Sequence, residues 1–167
     1  LKEGEEACAA AAVLAAVHLI LPPALQPIAK YVVRFPRESH SVVRVAATLS
    51  VHRKTLTNWC TRAHAPRPSA VITWCRLLLA AELLQSPGRS IERISNELEF
   101  ASSSAFRNLC KRYIGLTPTE LRDERALRQA YEAFARAFAW SGRSGAARIA
   151  RGPGGPGRAA RPLFTRR

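Results

Sequence analysis

Two short stretches of this chain carry the polar and basic side chains from which a nucleic-acid contact can be built. Leu56-Thr57-Asn58-Trp59-Cys60-Thr61-Arg62 returns fifty positions later as Phe106-Arg107-Asn108-Leu109-Cys110-Lys111-Arg112. Asn, Cys and Arg keep their places, and an apolar residue heads each copy. Arg can donate two hydrogen bonds to guanine and Asn can pair with adenine, each good pair giving about 1–3 kcal/mol of discrimination. Two copies of one helical unit, both rich in Arg and Lys, are what a reader of two successive DNA grooves needs. A fixed-period echo of this kind implies repeated architecture.

The elements that must position these side chains read as helices divided by turn signals. Ser39 or Ser41 can cap a helix running to about Leu49, with Val42, Val45, Ala46 and Leu49 at helical spacing. After the turn Ser50-Val51, a second helix runs from about His52 to His64 with Leu56, Trp59 and Cys60 facing inward, and Pro66 and Pro68 stop it. Ser69 to Gln85 reads as a long helix that is apolar nearly all round, the mark of a helix buried between neighbours. Ser90 caps a helix from Ile91 to Leu98, with Ile91, Ile94 and Leu98 inward. Glu99-Phe100-Ala101 is the next turn, and Ser102 or Ser103 caps a helix to about Tyr113. Gly115 suits a left-handed C-terminal cap, and Pro118 opens a short helix to about Leu121. No run alternates like a strand.

The flanks differ in kind. Residues 5–20 read as a helix ended by Leu21-Pro22-Pro23, since proline disfavours helix in the residue before it. A second short helix, about Ala24 to Arg34, follows. The apolar run Ala9 to Leu21 is too short to span a bilayer, which needs about 20 residues. Glu3, Glu5 and Glu6 precede it where a signal peptide would be basic. Burial in a neighbouring domain or a dimer interface is the expectation, not membrane contact. Residues 122–140 continue as a helix with Leu127, Ala130, Tyr131, Phe134, Phe138 and Trp140 partly in register. From Ser141 the Gly, Arg, Pro and Ala composition cannot bury a core and reads as disordered.

Charge follows the same division. The net charge is +14, and residues 34–125 alone hold fifteen Lys/Arg against eight Asp/Glu. Residues 141–167 add seven Arg and no acid, which can raise nonspecific affinity for phosphate. A polyanion partner is implied, either nucleic acid or an anionic surface. Cys8, Cys60, Cys75 and Cys110 show no CxxC spacing and read as free buried thiols of a reducing cytoplasm. Cys60 and His64 could share a helix face as metal ligands, but no second pair completes a zinc site, so neither metal nor cofactor is expected. There is no phosphate-binding Gly loop, no Ser/His/Asp set and no carboxylate pair placed in a pocket, so no enzyme is expected.

Helix–short turn–helix, a long buried helix, then helix–short turn–helix is an all-α pattern in which each pair has helix-turn-helix proportions. At residues 40–122 the chain resembles the AraC/XylS family of transcriptional regulators. Ala46, Leu49, Val51 and Leu56 look like the family's first unit, and Arg76, Ala80, Leu83 and Leu84 look like its linker helix. Ile94, Phe100, Phe106, Lys111-Arg112, Gly115, Thr117 and Pro118 look like its second-unit signature. Glu99 stands where the family usually has Gly, Ser95 where it has Ala, Cys60 and Cys110 where it has a large aromatic, and His52 where it has a Ser cap. The organisation implied is a helical extension over 1–38, a double helix-turn-helix domain over 39–125, a C-terminal helix over 126–140 and a disordered tail over 141–167.

The resemblance implies sequence-specific binding of double-stranded DNA and transcription regulation in a bacterial cytoplasm, at the nucleoid. It places Lys54, Thr57 and Asn58 in the first unit, and Ser103, Ser104, Arg107 and Asn108 in the second, where family members contact bases. Arg53, Thr61, Arg62, Lys111 and Arg112 fall to phosphates, which position a protein without specifying sequence. The two recognition helices would enter major-groove segments one turn apart, about 34 Å. Partners implied are promoter or operator DNA, RNA polymerase, and a homodimer mate or upstream sensor domain held through residues 5–34. The competing reading is an interaction module, or a nonspecific nucleic-acid binder that has lost specific readout.

Overall fold

A computed structural model describes residues 2–139; the expected disordered tail and Trp140 lie outside them. Among the described residues every regular element is helical. Helix α1 spans Lys2–Ile20, and a 3-10 turn at Pro23–Leu25 leads into α2, Gln26–Arg34. The first pair is α3, Val42–Thr48, and α4, Arg53–Arg62; the central helix α5 is Pro68–Leu83. The second pair is α6, Ile91–Glu97, and α7, Ser103–Tyr113, and α8 is Glu124–Phe138.

Helix α5 is the organising element. Val71, Ile72, Trp74, Cys75, Leu77, Leu78, Leu79, Ala80, Ala81 and Leu83 are buried along its length. Both helix pairs, α1, α2 and α8 all pack on it. Apolar area removed from water on every side stabilises the assembly at about 25 cal/mol per Å². The inward face of α1 is Ala9, Val13 and Val17, followed by Leu21, and it is spent on α5 and α2 of the same chain. No helix among the described residues is long and apolar enough to cross a membrane.

An ion network fixes the α1 end. Arg89, only 5% exposed, meets Glu97 at 2.8 Å, Glu6 at 3.2 Å and Glu5 at 3.5 Å. A charge this deeply buried requires paired carboxylates. Arg122 then donates to the carbonyls of Arg89, at 2.6 Å, and Leu84, at 3.3 Å.

The short helix expected from Pro118 is instead one 3-10 turn at Glu120–Arg122. Thr117 and Glu120 form a reciprocal cap: Glu120 Oε2 accepts from the Thr117 N–H at 2.6 Å, and Thr117 Oγ1 accepts from the Glu120 N–H at 3.3 Å. Asp123 has extended backbone, and its carboxylate accepts from the Arg125 N–H at 2.7 Å, so α8 starts afresh at Glu124. Trp59 and Ile91, expected to face inward, are half-buried.

The two helix-turn-helix turns repeat bond for bond. Val51 N–H reaches the Ala46 carbonyl and Ser50 N–H the Ala47 carbonyl; Phe100 N–H reaches Ser95 and Glu99 N–H reaches Asn96. This is the Schellman closure, whose left-handed residue is usually Gly. Here it is Ser50 and Glu99, each at φ 55°. The first helices of the two units are therefore offset by 49 positions and the second helices by 50, with Ala101 as the extra turn residue.

Two stability gains follow in the second unit. Ser95 is 0% exposed and its Oγ has no hydrogen-bond partner. Ser95→Ala should raise stability by about 1–2 kcal/mol, the desolvation cost of a hydroxyl without a partner, read as a higher urea midpoint at unchanged slope. Glu99→Gly relieves the left-handed strain at an exposed position and should add about 0.5–1 kcal/mol.

His40, between α2 and α3, supplies a pH dependence. It is 8% exposed, neither ring nitrogen has a hydrogen-bond partner, and its ring meets Tyr31 edge-on with centroids 5.6 Å apart. Burial, then the Arg76 guanidinium, hold its pKa below the ordinary 6.5, with the Phe35 backbone and Glu38 opposing more weakly. The unfolded chain thus takes up this proton first as pH falls. The stability from neutral His40 is fully present above about pH 6.5 and is lost as pH drops toward the folded value. Urea midpoints should decline from pH 7 to pH 5 in the native chain, and His40→Phe should flatten that decline.

Candidate nucleic-acid interface

Helix α4 exists because His52 caps it and Leu56 and Cys60 anchor it. His52 Nδ1 accepts from the Lys54 N–H at 3.2 Å, doing the work usually given to a Ser hydroxyl. Leu56 is fully buried and Cys60 nearly so. That leaves Arg53, Lys54, Thr57, Asn58, Thr61 and Arg62 exposed on the outer face. Thr57 Oγ1 donates to the Arg53 carbonyl and Thr61 Oγ1 to the Thr57 carbonyl. Both hydroxyl protons are occupied, so each threonine presents a methyl group and an acceptor outward.

Helix α7 repeats the arrangement. Ser102, not Ser103, is the cap, its Oγ accepting from the Ala105 N–H at 3.0 Å. Phe106 and Cys110 are buried beneath the helix. Ser104, Arg107, Asn108, Lys111 and Arg112 are exposed, whereas Ser103 is half-buried and so departs from the exposure its spacing suggests. From Leu56 to Ala63 and from Phe106 to Tyr113, the buried, exposed and half-buried positions follow the same order. Gly115 closes α7 at φ 89°.

The basic residues of this face are not all free. Arg107 Nη2 donates to Glu92 Oε1 at 3.1 Å, a contact that the spacing of either helix alone does not reveal. The turn between α6 and α7 is held from behind by Arg76 of α5. Its Nη2 and Nε donate to the Leu98 carbonyl at 2.6 and 3.2 Å, and its guanidinium lies 4.2 Å from the Phe100 ring centroid. Trp74 of α5 meets Tyr113 of α7 edge-on.

The thiols offer little chemistry here. Burial pushes Cys60 up to about 11, and Cys75 and Cys110 up to about 12, so none is a thiolate near neutrality. Cys8 is exposed, contrary to the expectation of four buried thiols. Cys60 points into the core while His64 is exposed at a left-handed position, so the two do not share a face. Among the described residues no group of three or more His, Cys, Asp or Glu could hold a metal ion.

Comparison with known proteins agrees with this geometry. A helix-turn-helix domain family matches residues 45–124. A solved DNA-binding transcriptional dual regulator from Escherichia coli K-12 is 24% identical, with a TM-score of 0.56. The alignment covers 65% of this chain and 96% of that one, and it shows the shared fold. No curated protein matches the sequence. Residues 45–124 of the chain thus match an AraC-type helix-turn-helix domain.

Proposed function

We propose that this domain binds double-stranded DNA sequence-specifically and regulates transcription, with α4 and α7 entering adjacent major-groove segments. The observation that carries this is the pair of matched recognition surfaces: two capped helices, anchored by the same buried positions, each turning a basic and amide-bearing strip to solvent. The family, and a structural neighbour described as a DNA-binding transcriptional regulator, support the reading.

The roles follow from side-chain chemistry. Arg107 and Asn108 offer bidentate donors to guanine and adenine, and Lys54 and Asn58 do comparable work from α4. Thr57 offers its methyl to a thymine methyl. Ser103 and Ser104 lie at the start of α7, where hydroxyls can reach a base edge. Arg53, Thr61, Arg62, Lys111 and Arg112 bind phosphates on either side.

Selection of bound duplexes from a random library at moderate salt tests this, with and without residues 141–167. The expected motif has two short boxes about ten base pairs apart and survives loss of the tail. Equal, salt-sensitive binding to every duplex that vanishes with the tail would sink it.

A further inference from the structure

Superposing the two repeats by position exposes a coupled difference. Ser41, which caps α3, corresponds to Ser90, which caps α6, at the 49-residue offset. By that offset Glu92 occupies the place of Val43, and by the 50-residue offset Arg107 occupies the place of Thr57. The first unit thus has an exposed Val and a Thr where the second has a carboxylate and a guanidinium in contact. Both members of the pair change together, and both face solvent, at 61% and 49% exposure. Exposed pairs of this kind add little to folding, so stability does not account for it.

We propose that Glu92 is a positioning residue for Arg107, one that sharpens base discrimination by the second unit at some cost in affinity. This rests on the reading of α7 as a recognition helix. The contact uses one hydrogen of Nη2 and leaves Nη1, Nε and the other Nη2 hydrogen free, so a braced Arg107 can still donate two bonds to guanine. A long, freely rotating arginine can instead swing to a phosphate and bind any sequence. The carboxylate holds the fork in one orientation and so removes that nonspecific option. It also places a negative charge beside the DNA backbone, which weakens binding to every duplex. The first unit has no such brace, so its box should tolerate more variation.

The test compares the full chain with Glu92→Gln, Arg107→Ala and the double variant. Each is titrated against the selected duplex, all single-base variants of both boxes and an unrelated duplex. Glu92→Gln should bind the unrelated duplex about two- to fivefold more tightly, with a steeper salt dependence. Its discrimination at the base pair read by Arg107 should fall by roughly three- to fivefold, with the first box unchanged. In the Arg107→Ala background it should alter no base preference. Full discrimination retained by Glu92→Gln overturns the role, and so does a uniform loss at both boxes with a lower melting temperature. A motif that Arg107→Ala leaves intact removes the role of Glu92 while sparing the domain's function. A native chain that selects no motif instead removes the functional reading on which this rests.

Discussion

Arg107→Ala is expected to weaken binding to the selected duplex by about 1–3 kcal/mol, roughly five- to 150-fold, with most of the loss at one base pair. Competition titrations with single-base variants measure this. The native chain should penalise one substitution in the second box strongly, and the variant should bind all four bases at that position alike. Arg107 is one of the few exposed groups on α7 able to make a bidentate contact, and α7 is held rigidly by Phe106 and Cys110 beneath it. Lys111→Ala should behave differently. As a phosphate contact it should weaken all duplexes nearly equally and lower the salt slope by about one unit. If Arg107→Ala produced that uniform pattern too, Arg107 would be a phosphate anchor, and base readout would fall to Asn108 and its neighbours.

The exposed faces of α4 and α7 were legible because helical periodicity fixes which side chains face out once a buried pair is identified. Leu56 with Cys60, and Phe106 with Cys110, are such pairs, and apart from the turn between α3 and α4 the helix boundaries of the repeat follow from Ser caps, prolines or Gly115. The fold class was legible for the same reason. Three features were not. The inward face of α1 could not be assigned, because Ala, Val and Leu occur on every side of it and only packing against α5 selects Val13 and Val17. The burial of Arg89 was hidden, since two of its three carboxylates, Glu5 and Glu6, come from the far N-terminal helix. The pairing of Arg107 with Glu92 crosses from one helix to the next, so the spacing along either helix alone does not reveal it.

Arg76→Ala should destabilise the second unit, costing about 2–4 kcal/mol from its hydrogen bonds, its ring contact and its packed stem. Leu98 caps α6, so its carbonyl lies at the negative end of that helix, and the Arg76 guanidinium meets it with two donors while covering Phe100. Removing the guanidinium leaves that carbonyl underpaired and uncovers the turn that aims α7. Lysine is a poor replacement, since a single ammonium cannot place two donors on one oxygen and lie flat on a ring. Thermal melts of Arg76→Ala and Arg76→Lys should therefore both fall, alanine further. The DNA readout separates this from general unfolding. At temperatures where the variants remain folded, preference at the second box should weaken while preference at the first survives, because α4 is anchored by Leu56 and Cys60 and makes no use of Arg76. Equal loss at both boxes would mean that α5 transmits the change to both units, and that the central helix, more than the turn it braces, sets the geometry of the pair.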